Sequence, residues 1–302
     1  MDVLILSPQG VLAILVGVCA FFFFLEQKTG WKVWEFFPPL LWIYATPVAL
    51  NNLDVIPSES PVYGALGDIA LPMFIVLMLI NVDVGAAFRV MGKGVLVMLM
   101  GTVGVMVGAV LAYLVVHRWL SPEAWTGFGA LAGSWIGGTG NMAAAAEALE
   151  TPPEEFGLAV LADNFVYVVW LPILLGSKVV AEKFNRWARV KEGRVEAMEK
   201  ALQEESLEER EIEMRDYLYL GAIAAGVTWL GHALAGQLPE IEPVLSTSTW
   251  NILLVTTFAL ILSRTPVRRL PGSQNLAIAL IYVFVAGMGA RASLEGLGQA
   301  PA

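Results

Sequence analysis

The chain has 302 residues, 57% of them hydrophobic and only 15% charged, with a formal net charge of -9. Soluble domains carry about 25% charged residues, so a chain this apolar must find its solvent in lipid. The acidic balance argues against a nucleic-acid partner, which needs a basic surface, and the single cysteine, Cys19, excludes an intramolecular disulfide framework.

Apolar segments of the length a membrane helix needs, roughly 17–25 residues, fall near 9–26, 36–51, 62–82, 92–117, 123–149, 156–181, 217–236, 247–263 and 272–290. The fold class expected is therefore all-α, a polytopic transmembrane helix bundle. The first segment is kept as a helix rather than a cleaved signal peptide. Nothing basic precedes it, and it runs straight into Glu26-Gln27-Lys28 without a small-residue cleavage site. Pro38, Pro39, Pro47, Pro72 and Pro172 fall in or near these helices; in lipid they are tolerated where neighbouring helices satisfy the freed carbonyls. His117 and His232 match no metal-ligand spacing and are expected at helix ends near the headgroups.

The fifth segment has the most unusual composition. Gly127, Gly129, Gly133, Gly137, Gly138 and Gly140 crowd it, followed by Asn141, Met142, four alanines and Glu147. Each glycine costs a helix roughly 1 kcal/mol against alanine, so an uninterrupted helix is not expected. Irregular backbone at membrane depth survives where it is buried or lines a watery cavity. There, bare carbonyls can coordinate a cation and the amides opening a half-helix can face an anion. Ser134, Thr139 and Asn141 add neutral oxygens at the same place. The plainer reading is close helix packing through small residues, and Gly104-Val105-Met106-Val107-Gly108 in the fourth segment fits that reading.

Asp163 and Asn164 lie inside the sixth segment. An ionisable side chain there is a functional hypothesis by default, since inserting it costs on the order of 2.5–3.5 kcal/mol. Asp163 can hold a proton or Na+, with Asn164 as a neutral co-ligand; an aspartate capped near the membrane surface is the bland alternative. Asp83 is expected at the interface, and Asp68 has no assigned role. The site residues are thus Ser134, Gly137, Gly138, Thr139, Gly140, Asn141, Asp163 and Asn164, with Na+ placed at Thr139, Asn141 and Asp163. No other cofactor and no transition metal is expected.

Residues 182–216 change character. Eight basic residues are interleaved with more acids, and pairs such as Glu211 and Arg215 stand at helical spacing. This is read as a solvated linker between a first membrane repeat at 1–181 and a second at 217–302, and its basic content places it on the cytoplasmic side. Residues 69–76 can be laid on 276–283 at an offset of about 207, which also puts segment one on seven and, more loosely, two on eight. Such repeats characterise secondary transporters. The second repeat would stop after its third helix; the missing counterparts need roughly 90 more residues, so the chain is expected to be a fragment or an incomplete gene product.

Lysine and arginine occupy the loops after segments one, three and eight, whereas 52–61, 150–155 and 237–246 have none. The positive-inside rule then sets the N-terminus outside. Six full crossings would leave the basic linker outside as well. One segment must fail to cross, and a re-entrant fifth segment restores every loop to its preferred side. A fully crossing, broken fifth segment would require another helix to fail.

The Gly-Gly-Thr-Gly-Asn-Met-Ala-Ala run at 137–144, Ala-Asp-Asn-Phe-Val-Tyr at 162–167 and Ile80-Asn81-Val82-Asp83 resemble the domain-of-unknown-function 819 membrane family. That family belongs with the bile-acid/sodium symporter and cation/proton antiporter fold superfamily. The resemblance implies inverted repeats, a panel and a core domain, and discontinuous helices crossing near the midplane. It suggests a homodimer, although the residues themselves leave oligomeric state open. Antiporters of that superfamily carry an Asn-Asp pair on the helix after the broken one; here the order is Asp163-Asn164, so the individual roles do not transfer. The expected function is an ion-coupled secondary transporter of a small solute or ion, in the cytoplasmic membrane of a prokaryote. The alternatives are a passive channel, an accessory subunit or an intramembrane enzyme, the last disfavoured because no paired-aspartate motif or histidine-activated nucleophile is present.

Overall fold

The structure is a computed structural model that describes residues 3–85, 88, 92–176, 183, 184, 187, 212–241 and 245–292. Its helices are α1 (Pro8–Thr29), α2 (Pro39–Asn52), α3 (Pro61–Leu79), α4 (Lys93–Val116), α5 (Ala124–Gly137), α6 (Thr139–Ala148), α7 (Pro153–Gly176), α8 (Met214–Ala235), α9 (Thr247–Leu262) and α10 (Ser273–Arg291). No strand occurs among the described residues. The chain folds as an all-α polytopic membrane helix bundle. Among the described residues, α1, α3, Gly94–Trp119, α8 and α10 are long and apolar enough to cross a bilayer, and α9 is a shorter apolar helix. The expected linker falls largely outside the described residues, and the Glu211–Arg215 pairing with it; Arg215 pairs with Glu213 at 2.9 Å.

Local chemistry sets the helix ends. Ser7, Ser60 and Ser246 accept hydrogen bonds from the first-turn amides of α1, α3 and α9, and Pro8, Pro39 and Pro61 open their helices where no amide partner is needed. Glu213 and Asp216 form a reciprocal capping box at the start of α8. Gly30 closes α1 at φ 54°, a left-handed cap. Within α3, Leu66–Ala70 widens into a π turn. Pro72 follows one residue later; it has no N–H for the carbonyl four residues back, and the wider turn accommodates its ring.

Helix α10 is the central element. Its run from Phe284 to Ala290 is buried throughout, packed between α2 and α3 with α1 alongside. In turn α3 packs against α8 and α9, so the third helix of each half lies on the first two helices of the other. Small residues make this close approach work. A Cβ on Gly289 would overlap the Tyr44 carbonyl oxygen, and one on Gly287 would come within 2.8 Å of Leu66. Gly289→Ala is expected to destabilise the protein by about 1–3 kcal/mol, because a backbone carbonyl cannot swing aside as a side chain can. Thermal unfolding in detergent should show a lowered midpoint relative to Gly221→Ala, whose Cβ meets nothing within 4 Å.

Helix α4 is peripheral and almost wholly exposed, and it packs chiefly against α5. Gly104 and Gly108 have nothing within 4 Å of a built Cβ, so they meet no helix of the described chain. The bundle has two distinct ends. At one, the amides of Asn51 and Asn52 donate to the Ala292 carbonyl at 3.2 and 3.3 Å, and Leu4 donates to Asp54 at 2.9 Å. At the other, Arg268 pairs with Asp83, and Asn81 reaches the Leu270 carbonyl at 3.5 Å. Asp83 thus lies at a helix end beside a basic loop, as the sequence suggested.

A broken helical hairpin and its buried carboxylates

The fifth apolar segment folds as two antiparallel helices. Gly129 on α5 faces Leu149, and Gly133 faces Ala145 and the Asn141 carbonyl, where a Cβ would stand 3.0 and 2.9 Å away. Both ends of the hairpin emerge together: Thr151 donates to the Thr126 carbonyl at 3.5 Å, and Ser121 donates to Glu155. With 14 residues, α5 reaches about 21 Å, less than the roughly 30 Å of a hydrocarbon core. Its tip lies beside Phe74 of α3, where a Cβ on Gly140 would overlap the ring.

A single residue makes the break. Gly138 has φ 82° and ψ -173°, a region that glycine alone adopts readily. Its amide donates to Ser134 at 2.6 Å, and its carbonyl accepts from the amides of Asn141 and Met142 at 3.0 Å. The backbone is interrupted as expected, but the carbonyl at the break is not bare, since two amides donate to it. Gly137 and Gly140 are helical and serve close approach, to Asn141 and Phe74 respectively. The small-residue packing reading holds for most of the run, and Gly138 supplies the discontinuity.

The structure joins two of the expected site residues directly. The Ser134 hydroxyl, one turn before the break, donates to Oδ2 of the half-buried Asp163 at 2.9 Å. The Trp135 side chain also interacts with Asp163, and its ring lies 6.4 Å from that of Trp170, centroid to centroid. Asn141 points elsewhere: its amide crosses the hairpin to the Gly133 carbonyl at 3.0 Å. Asn164 turns back onto its own helix, donating to Val160 at 2.7 Å. Thr139 opens α6 at the tip and is half-buried. Neither Thr139 nor Asn141 hydrogen-bonds Asp163, so the three do not form one closed shell.

Sequence reasoning missed a second polar region at the other end of the hairpin. Glu147, near the end of α6, lies against Gly67 in the π turn of α3, where a Cβ would be 3.2 Å from its Oε1. Asp68 and Arg291 are close enough to act on it by charge. Together with His232, Thr247, Ser248 and Asn251, Asp68 and Glu147 line a small cavity. His232 does occupy a helix end, as expected, but it faces this cavity. The rule that flagged Asp163, an ionisable group in an apolar run, applies equally to Glu147.

Comparison with known proteins agrees with this architecture at a coarse level. The chain is 28% identical over 279 residues to YjcL of Bacillus subtilis, described as an uncharacterized membrane protein; the match covers 90% of this chain and 70% of that one. No solved structure matches the chain. Residues 13–302 match the family described as a protein of unknown function (DUF819), and the chain belongs to that family.

Proposed function

We propose that the protein is an ion-coupled secondary transporter, moving a small solute or ion with a proton or Na+ bound at Asp163. The observation that carries this reading is the Ser134–Asp163 contact: a half-buried carboxylate in one apolar helix, held by a hydroxyl from a broken hairpin that ends inside the bundle. Excluding such a group from water is unfavourable by several kcal/mol, and binding a cation or proton offsets that penalty. Ser134 fixes one carboxylate oxygen and leaves its own lone pairs for an incoming cation. Thr139 and Asn141 stand at the tip, where the gap between two helices is bridged by one glycine.

The exchange of third helices between the halves supports a transporter built from two repeats, 1–181 and 217–302, joined by 182–216. Helix α3 on α8 and α9, and α10 on α1 and α2, is the reciprocal pattern that a two-fold relation generates. In this reading the end bearing Lys28, Lys32, Arg264, Arg268 and Arg269 faces the cytoplasm, and the hairpin enters from the outer face of the cytoplasmic membrane. The fold would then be that of the bile-acid/sodium symporter and cation/proton antiporter superfamily, acting without catalysis and with no resident cofactor.

The test is proton flux in proteoliposomes, with and without a Na+ gradient, for the wild type and Asp163→Asn. Na+-dependent proton movement is expected in the wild type and should vanish in the variant while the protein stays monodisperse. Uncoupled conduction in both proteins would identify a channel. Silence in both would overturn cation/proton exchange and turn the search to Na+-driven solute uptake.

A further inference from the structure

We infer that the groove between α8 and the α9–α10 connection binds one anionic phospholipid, with an acyl chain in the groove and the headgroup phosphate on Arg269 and Arg264. The groove has a volume of about 390 Å³. Tyr219, Ala222 and Ile223 of α8 form one wall, and Pro266, Val267 and Leu270 of the connection form the other. Except for the Tyr219 hydroxyl, every lining side chain is a hydrocarbon. The two walls meet at Gly272, the residue before α10, where a Cβ would stand 3.1 Å from Tyr217 and 3.2 Å from Ile212.

Position along α8 sets the depth of the groove in the bilayer. The helix begins at Met214, so Tyr219 to Ile223 lie about 8–14 Å along it at 1.5 Å per residue. The groove therefore runs from headgroup level into the hydrocarbon. It opens on the outside of the bundle, where Tyr219 is 55% exposed and Ala222 is exposed beside it. A tyrosine so placed suits the membrane–water interface, and a lipid chain is the molecule that meets such an opening.

Charge complementarity selects the headgroup. Arg268 is neutralised by Asp83, and Glu213 and Asp216 at the start of α8 are taken up by Arg215 and by the helix cap. Arg264 and Arg269 are exposed and form no ion pair among the described residues. Arg269 stands between the lining residues Val267 and Leu270, and Arg264 precedes Pro266 by two. Two uncompensated guanidinium groups thus flank an apolar groove at its polar end. A guanidinium grips phosphate oxygens through parallel N–H donors, and basic pockets between membrane helices recognise anionic headgroups. A zwitterionic lipid offers the same phosphate but brings a cation towards two arginines, so a net negative headgroup is favoured.

The bound lipid would join the start of α8 to the connection that Arg268 ties to α3. Neither Asp163 nor ion coupling enters this site, so it stands or falls independently of the transporter reading.

The test is native mass spectrometry of the purified full chain in detergent, titrated with dioleoyl phosphatidylglycerol or dioleoyl phosphatidylcholine. The wild type should hold one phosphatidylglycerol at least tenfold more tightly than phosphatidylcholine. Arg264→Gln combined with Arg269→Gln should cut phosphatidylglycerol affinity at least tenfold and leave phosphatidylcholine unchanged. Ala222→Trp, which fills the groove with the arginines intact, should weaken retention of both lipids. Arg118→Gln, which removes an exposed arginine in the short turn after α4, should change neither. Circular dichroism and gel filtration establish that each variant is folded. Equal retention of the two lipids by the wild type, or unchanged phosphatidylglycerol affinity in the folded double-arginine variant, would overturn the proposal. An equal loss in Arg118→Gln would do the same, by reducing the effect to diffuse charge. Displacement of the lipid by glycerol phosphate would overturn it by placing a free anion at the arginines. A dimer that Ala222→Trp dissociates, with lipid retention unchanged, would give the groove to a second copy of the chain instead.

Discussion

Gly138→Ala is expected to lower stability by about 1–3 kcal/mol and to abolish solute-coupled ion flux, although its new methyl group would touch nothing within 4 Å. The effect comes from the backbone alone. At φ 82° and ψ -173°, an L-residue sets its Cβ against its own peptide groups. Asparagine gives no rescue, because its tolerance is for the left-handed helical region near ψ +47°, far from this ψ. The chain can relieve the strain only by rotating into a helical or extended conformation, and either choice re-aims α6. Ser134 would then lose its position relative to Asp163, and Gly140 its seat against Phe74. Gly140→Ala makes an informative comparison. Its methyl group overlaps the end of a phenylalanine ring, which can tilt away, so the smaller loss is expected there despite the closer contact. Denaturation midpoints and Na+-dependent flux for the two variants provide the check; a Gly138→Ala protein as stable and active as wild type would mean the hairpin does not turn on that glycine.

The bundle's helices were legible because lipid imposes a long, uninterrupted apolar run on every crossing element, and such runs are visible without any partner. The break in the fifth segment was legible for the same reason in reverse: six glycines disrupt a pattern that lipid would otherwise favour. Which glycine breaks it was not legible. Gly133 and Gly138 look alike along the chain, and only the opposing helix shows that Gly133 makes room for Ala145 while Gly138 turns the backbone. Asp163 stood out against apolar neighbours, and its partner Ser134 lay within a segment already flagged. Asn164 looked equally suitable, but helix geometry points its amide back to Val160.

The Glu147 cavity shows the limit more plainly. Its carboxylates come from α3 and α6 and its amide from α9, brought together by packing that joins the two halves of the chain. No local spacing encodes that convergence. Glu147 follows four alanines near the end of an apolar run, a place where an acid reads as interfacial, and Asn251 reads as one more polar residue near the start of a helix. The Gly104–Gly108 pair is a case of the opposite kind. It carries a recognisable packing pattern, yet no helix of the described chain covers it.

Ser134→Ala should weaken coupling-ion affinity by roughly ten- to a hundredfold, the equivalent of a charge-assisted hydrogen bond of about 1.5–3 kcal/mol. The hydroxyl lies 2.9 Å from Asp163 Oδ2, in a setting half withdrawn from water, and the Trp135 side chain is the other donor beside the carboxylate. Removing the hydroxyl leaves Asp163 in place but poorly oriented, so the half-saturating ion concentration should rise while the limiting flux changes less. Ser134→Thr retains the hydroxyl and should recover most of the affinity. Alanine at Ser134 does not perturb the turn, because the backbone carbonyl that accepts from Gly138 is unchanged. Asp163→Asn, in contrast, removes the charge itself and should eliminate coupling at every ion concentration. In that background, adding Ser134→Ala should do nothing further, because the hydroxyl acts only through the carboxylate. Solute binding that Asp163→Asn keeps and the double variant loses would instead mean that Ser134 contacts the transported species on its own.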